Sequence, residues 1–207
     1  MLSVARALAG PVRRVSRRSR VLAAAARTTM RRTDFSRWQR NASETPSWDE
    51  RNVRIAALIP DNCSVLDLGA GAQTIRRYLK PNCRYQPCDL VKSSPDVLVC
   101  DFNRGRFPQL NGERFDYVIC SGVLEYIRKP QDFLNRIRDY GTNFFITYNV
   151  RRDGDSILDR LAAGWVNHMI LTELEELFYK SGLRCKTIFR YRIHEIIVHL
   201  ERLVKNI

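Results

Sequence analysis

No pair of the six cysteines, Cys63, Cys83, Cys88, Cys100, Cys120 and Cys185, has the two-residue spacing of a zinc ribbon, so no metal site is expected. No apolar signal sequence precedes them, and most fall in or beside apolar strand-like runs. They read as reduced, buried small hydrophobes of a cytosol-like compartment. No stretch approaches the ~20 apolar residues needed to cross a bilayer. Internal repeats are absent, and bias in composition is confined to the N-terminus. There the missing element is acid: residues 1–33 hold nine arginines and no Asp or Glu, which leaves only +4 of the net +13 for everything after Thr33. A domain with so mild an excess does not call for a nucleic-acid partner, and any attraction to phosphate or anionic lipid resides in the tail.

That Arg-rich, Ser-containing tail has three readings. It has the composition of an organelle transit peptide, which would make the location mitochondrial. It could be a polybasic anchor at an anionic membrane surface, with Val21–Ala26 inside a basic amphipathic helix. Or Met30 is the true start, since composition turns ordinary from Thr33 onward. The last reading is preferred: residues 1–33 form a tail, disordered or helical and dispensable for catalysis, and 34–207 a single cytoplasmic domain. A chain of 207 residues suits one core of ordinary size.

Along that domain, Ser47-Trp48-Asp49-Glu50 has the hydroxyl-to-carboxylate spacing of a helix cap, and the helix should run to Leu58. Pro60-Asp61-Asn62 stops it. Ser64–Leu68 then reads as a short buried strand, followed by a glycine turn and a helix over Thr74–Leu79. Further strands are predicted at Tyr85–Cys88, Val97–Cys100, Tyr117–Ser121 and Phe144–Tyr148, with helices at Gln131–Arg138 and Thr172–Lys180. Alternation of strands and helices predicts a doubly wound α/β fold, a parallel sheet covered on both faces. Cys185–Tyr191 and His194–Leu203 leave no room for a crossover helix and should pair as an antiparallel hairpin.

The most informative run is Asp67-Leu68-Gly69-Ala70-Gly71-Ala72-Gln73, between a strand and a helix. Glycines there permit a sharp turn and close approach of a ligand at the carboxyl end of a strand; a plain strand-to-helix turn is the alternative. A dinucleotide fingerprint wants Gly or Ala where Thr74 stands. Asp67, two residues before the first glycine, would repel a pyrophosphate but favour a ligand bearing ammonium and sulfonium charges, a description that suits S-adenosyl-L-methionine. Asp89 ends the next strand 22 residues later, where an acid accepts from ribose hydroxyls or is simply a solvated turn residue. Asp101-Phe102 could set a carboxylate and a ring beside an adenine, or cap a turn.

On these residues, and on the run Phe115-Asp116-Tyr117-Val118-Ile119-Cys120-Ser121-Gly122-Val123-Leu124-Glu125-Tyr126, the chain from Trp48 to Val204 resembles the class I S-adenosylmethionine-dependent methyltransferases. Tyr140-Gly141 and Tyr148-Asn149 give a faint similarity to its methionine-biosynthesis-associated branch. The resemblance implies a Rossmann-like seven-stranded sheet, mostly parallel with one antiparallel strand near the C-terminus. It implies S-adenosyl-L-methionine as cofactor, held by Asp67, Gly69, Ala70, Gly71, Asp89, Leu90, Asp101, Phe102 and Ser121. The chain departs from the family pattern at Gln73, where a third glycine is usual, and at Tyr126, where histidine is usual.

In-line methyl transfer needs chiefly alignment and exclusion of water, with a base only for a protonated acceptor. Residues expected to meet the acceptor are Glu125, Tyr126, Tyr148 and Asn149 after the fourth and fifth strands, with Trp165, Asn167 and His168. As catalytic candidates, His168 has a pKa suited to proton removal, though it could merely help cap the next helix; Glu125 could equally pair with an arginine, and Tyr126 could be core. Trp48 and Trp165 could form an apolar lid. Three functions follow: methylation of a small molecule, a non-catalytic binding or assembly module on the same fold, and an RNA methyltransferase guided by the tail. Oligomeric state is not legible.

Overall fold

A computed structural model describes residues 16–40 and 46–203, the side chains of residues 46–48 excepted. Residues 1–15 of the basic tail and the Trp48 half of the expected lid therefore lie outside the described residues. Two short helices come first, α1 (Arg17–Met30) and α2 (Phe35–Arg40), then α3 (Pro46–Ala57). The sheet strands are β1 (Ser64–Leu68), β2 (Arg84–Asp89), β3 (Leu98–Val99), β4 (Phe115–Cys120), β5 (Gly141–Asn149), β6 (Leu183–Arg190) and β7 (Glu195–Arg202). Between them lie α4 (Pro130–Ile137), α5 (Ile157–Ala162) and α6 (Leu171–Lys180).

The strands form one seven-stranded sheet in the order β3-β2-β1-β4-β5-β7-β6. Only β7 runs against its neighbours, pairing antiparallel with both β5 and β6. This is the doubly wound α/β arrangement the alternation predicts. Strand order reverses between β1 and β4, which opens a crevice at their carboxyl ends.

Period-2 alternation divides the core. Leu66 and Leu68 of β1 and Val118 and Cys120 of β4 join the larger cluster, with Phe133 and Leu134 of α4 and Leu174 and Phe178 of α6. Val65, Ile119, Phe145 and Ile197 face the other way onto Ile55 and Ala56 of α3 and Ile59. Asp67, two residues from Val65, points to that second face, where α3 lies. All six cysteines are free thiols; Cys88, Cys100 and Cys120 are buried in the larger cluster. No helix among the described residues is long and apolar enough to cross a membrane.

Three expectations need correction. The predicted helix over Thr74–Leu79 is a single 3₁₀ turn, Thr74–Arg77. Gln73 before it sits in the left-handed conformation (φ 57) and makes no capping bond, and Pro81 follows too soon for a full helix. Ser47 lies inside α3, which begins at Pro46, and not before it, and Glu50 pairs with Arg54 at 2.9 Å. Most consequentially, residues 16–33, the described part of the tail, are not separate from the domain. Helix α1 packs along α5 and buries Ala25. The Arg128 guanidinium donates to the carbonyls of Thr28, Thr29 and Arg31 at the end of α1, cationic charge where the helix dipole is negative.

Candidate active site

A cavity of about 250 Å³ occupies the crevice at the carboxyl ends of β1, β2 and β4. The β1 strand delivers Asp67 to its floor, 4% exposed, where Tyr85 of the adjacent β2 donates its hydroxyl to Oδ2 at 2.6 Å. Burial pushes the Asp67 carboxyl up to about 7, with Asp89 nearby acting in the same sense; the Tyr85 hydrogen bond and the Arg51 charge offset part of this.

The loop after β1 returns through Gly69 (φ 86) and Gly71 (φ 53), backbone that disfavours side chains. A methyl group at Gly69 would clash with Cγ2 of Val123, whereas among the described residues nothing crowds Gly71. Asp89 holds the loop: Oδ2 accepts from the Gly71 amide at 2.8 Å and Oδ1 from Val91 at 2.9 Å. Gln73 meets the loop's demand for a left-handed residue without being glycine, and its amide donates to Ser94 Oγ at 2.6 Å, stapling the turn to the segment before β3.

Of the residues expected at the cofactor, Asp67, Gly69, Ala70 and Gly71 line the cavity, as do Asp89 and Leu90, Asp101 and Phe102, and Ser121. The acceptor-side candidates divide. Glu125, Tyr126, Asn149 and Trp165 line the same cavity. Tyr148 and His168 do not. Tyr148 is fully buried, donates to Asn167 Oδ1 at 2.5 Å and accepts from the Met169 amide at 3.0 Å. Asn167 in turn donates to the carbonyls of Leu124 and Ile127, so Tyr148 and Asn167 act together to hold the Leu124–Tyr126 turn. His168 Nδ1 faces Arg160 Nε at 3.3 Å, and burial together with Arg160 and Arg151 lowers its pKa. It does not cap α6 either: Glu173 accepts the Ile170 amide there, at 2.9 Å.

Sequence reasoning missed Arg51, Glu195, Thr33 and Trp38. The antiparallel β7 begins where β5 ends, Glu195 opposite Asn149, which carries a carboxylate to the ligand edge of a sheet whose other strands finish there. Glu195 pairs with Arg51 of α3 at 2.5 Å, both almost fully buried. Thr33 donates to Asp101 Oδ1 at 2.8 Å, and Trp38 of α2 meets Tyr126 edge-on with ring centroids 4.7 Å apart. The predicted antiparallel hairpin could have flagged Glu195; the others carry no local signal.

The lining has five carboxylates, on Asp67, Asp89, Asp101, Glu125 and Glu195, against the guanidiniums of Arg51 and Arg192. Such a cavity disfavours a pyrophosphate and suits a cationic nucleoside. Ser121 Oγ and Arg51 Nε are buried at its wall with no hydrogen-bond partner among the described residues, valences a ligand can meet. Fold and site together define a class I methyltransferase.

The methyltransferase-domain family matches residues 30–188, and the chain belongs to it. No curated protein sequence matches the chain. Among solved structures it is similar to a 1,6-didemethyltoxoflavin-N1-methyltransferase of Burkholderia thailandensis with bound 1,6-didemethyltoxoflavin and S-adenosylhomocysteine (TM-score 0.65, 18% identity, 88% of this chain and 91% of that one). It is also similar to the mitomycin 7-O-methyltransferase MmcR (TM-score 0.62, 16% identity, 88% and 67%). CalO1, a methyltransferase in calicheamicin biosynthesis, in its SAH-bound form, gives a TM-score of 0.58 at 18% identity over 75% of this chain; the match spans 54% of CalO1.

Proposed function

We propose that this protein transfers the methyl group of S-adenosyl-L-methionine to a small-molecule acceptor by in-line displacement. The observation that carries the reading is the pair of strand-end carboxylates, Asp67 and Asp89, on either side of the Gly69–Gly71 loop in a cavity dominated by negative charge. When bound, the cofactor supplies an electrophilic methyl carbon on a positively charged sulfur.

The chain's own part is to bind, orient and exclude water. Asp89 accepts from the ribose hydroxyls, while Asp101, Phe102 and Leu90 flank the adenine and Ser121 Oγ supplies a further polar contact. Asp67 meets the positive charge of the amino-acid end and Arg51 its carboxylate, a role supported by the unpartnered Nε of that buried guanidinium. The acceptor enters beside Glu125, Tyr126 and Asn149. A small acceptor agrees with a cavity of this volume, with Trp38 and Trp165 in its lining.

Isothermal titration with S-adenosylhomocysteine tests the reading. The protein should bind it and ignore NAD, and Asp89→Ala should weaken binding at least about tenfold, the loss of one charge-assisted bond. No heat with S-adenosylhomocysteine, or preference for NAD, would refute it. Release of S-adenosylhomocysteine on a metabolite extract then separates an enzyme from a binding module.

A further inference from the structure

The acceptor end of the cavity has an unusual mixture of surfaces. Trp38 of α2, Tyr126 after β4 and Trp165 after α5 line it, and the Trp165 indole N–H faces the Tyr126 hydroxyl at 3.3 Å, which joins two of the rings through their polar tips. In this aromatic wall stands Glu125, 1% exposed. Its Oε1 accepts two bonds from Asn149, from the backbone amide and the side-chain amide, both at 2.8 Å. Arg160 fixes Asn149 in turn by donating to its carbonyl at 2.6 Å. Glu125 Oε2 is buried and has no partner among the described residues. A carboxylate held so firmly by one oxygen and left unmet at the other has a vacancy for one hydrogen-bond donor.

Building on the methyltransferase reading above, we infer that the acceptor is an uncharged planar aromatic ring bearing one O–H or N–H, which packs against Trp38, Tyr126 and Trp165 and surrenders its proton to Glu125 Oε2. Three alternatives fit worse. Aromatic walls with a carboxylate also suit ammonium ions, but the rings here already carry cations. The Arg37 guanidinium lies 6.0 Å from the Trp38 centroid and 5.8 Å from that of Tyr126, and Arg160 lies 4.6 Å from Trp165. A second cation would be repelled. An anionic acceptor would meet the desolvated carboxylates of Glu125 and Glu195. A sugar or other polyol needs several partners, whereas the Asn149 amide, the Tyr126 hydroxyl and the Glu195 carboxylate are already engaged with Glu125, Trp165 and Arg51. Burying its remaining hydroxyls unpaired would cost too much.

The step balances with the cofactor as co-reactant. The acceptor's O–H or N–H bond breaks and its proton passes to Glu125 Oε2. The electron pair left on the acceptor forms the new bond to the methyl carbon, and the carbon–sulfur bond breaks with its pair staying on sulfur as a neutral thioether. Burial also raises the Glu125 carboxyl above the ordinary carboxylate range, despite the opposing bonds from Asn149 and the Arg51 charge, which brings it nearer to a useful base.

The test uses the full chain at pH 8, with S-adenosylhomocysteine release as the readout and phenol and 2-hydroxypyridine against 4-nitrophenol, glucose and ethanolamine as acceptors. Turnover should be confined to the two neutral rings. Glu125→Gln should lower kcat with phenol at least about 100-fold, the usual worth of a general base, and should gain turnover of 4-nitrophenol, which arrives already ionised, needs no base and no longer meets the carboxylate. Trp38→Ala, a change on a surface helix outside the core, should raise KM for the rings more than it lowers kcat. Both variants should bind S-adenosylhomocysteine within about twofold of the parent protein, which establishes that they are folded. No loss with phenol in Glu125→Gln, or turnover of 4-nitrophenol, glucose or ethanolamine by the parent protein in place of the neutral rings, would overturn the inference. If the parent protein binds S-adenosylhomocysteine but methylates none of the rings, this inference alone fails; if it does not bind, the cofactor reading fails with it.

Discussion

Arg51 of α3 and Glu195 of β7 form an ion pair at 2.5 Å, both side chains 9% exposed, that joins the helix before the first strand to the start of the last. Removing one partner strands the other charge in a nearly dry site, which costs about 3–5 kcal/mol in comparable pairs. Glu195→Gln should therefore melt well below the parent protein. If Arg51 meets the cofactor's carboxylate, S-adenosylhomocysteine should restore more stability to this variant than to the parent, as read by paired thermal melts.

Asp67 is expected to make cofactor affinity depend on pH. Its carboxyl is raised to about 7 by burial, so the free site holds a proton there below neutrality, while a cationic ligand favours the ionised form. Affinity for S-adenosyl-L-methionine should fall as pH drops through about 7, approaching tenfold per pH unit below it. The stability of the free protein moves the other way. A raised carboxyl contributes stability that is fully present below its unfolded value and is lost as pH climbs through the folded one. Tyr85→Phe removes a bond that favours the charged form and should move the midpoint of binding upward; Asp67→Asn should abolish the dependence. Titration calorimetry between pH 5.5 and about 8.5 reads both.

The two loop glycines should not respond alike to alanine. Both would force a side chain into left-handed backbone, about 1–2 kcal/mol. At Gly69 the added methyl also clashes with Val123, while at Gly71 it meets nothing among the described residues. Gly69→Ala should lose clearly more stability than Gly71→Ala in urea denaturation, and equal losses would contradict the packing seen here.

Helix α1 is expected to matter for binding, because Thr33 hydrogen-bonds Asp101 at the cavity and Arg128 secures the helix end. A protein beginning at Met30 should have a lower Tm, faster amide exchange in α5, and weaker binding of S-adenosylhomocysteine. Arg128→Ala should reproduce part of this, on the order of 1 kcal/mol for a lost helix-end contact. Unchanged binding in both would return the segment to the status of a tail.

His168→Gln should leave kcat and KM within about twofold, an ordinary surface-like effect, since the ring faces Arg160 outside the cavity.

The sheet was legible because its cause is local: period-2 burial and short apolar runs declare strands wherever they fall, and a hairpin without room for a crossover declares its direction. The β1 loop was legible for a similar reason, since Asp67, Gly69, Gly71 and Asp89 act through backbone conformation and charge at strand ends. The helix after Gln73 was misread because its fate turned on one left-handed residue with no side-chain cap. Tyr148 and His168 were misplaced because proximity along the chain does not say which face of a strand or turn a side chain takes.

What the sequence by itself determined is the class of fold and the glycine loop after β1 with its carboxylates at the strand ends, all consequences of neighbours along the chain. Only the tertiary structure decided which distant side chains complete the site. Arg51 meets Glu195 across 144 residues, Thr33 meets Asp101 across 68, and Trp38 faces Tyr126 from a helix that precedes the sheet altogether. Such contacts arise from packing of whole elements, and packing leaves no periodic trace in the residues it brings together.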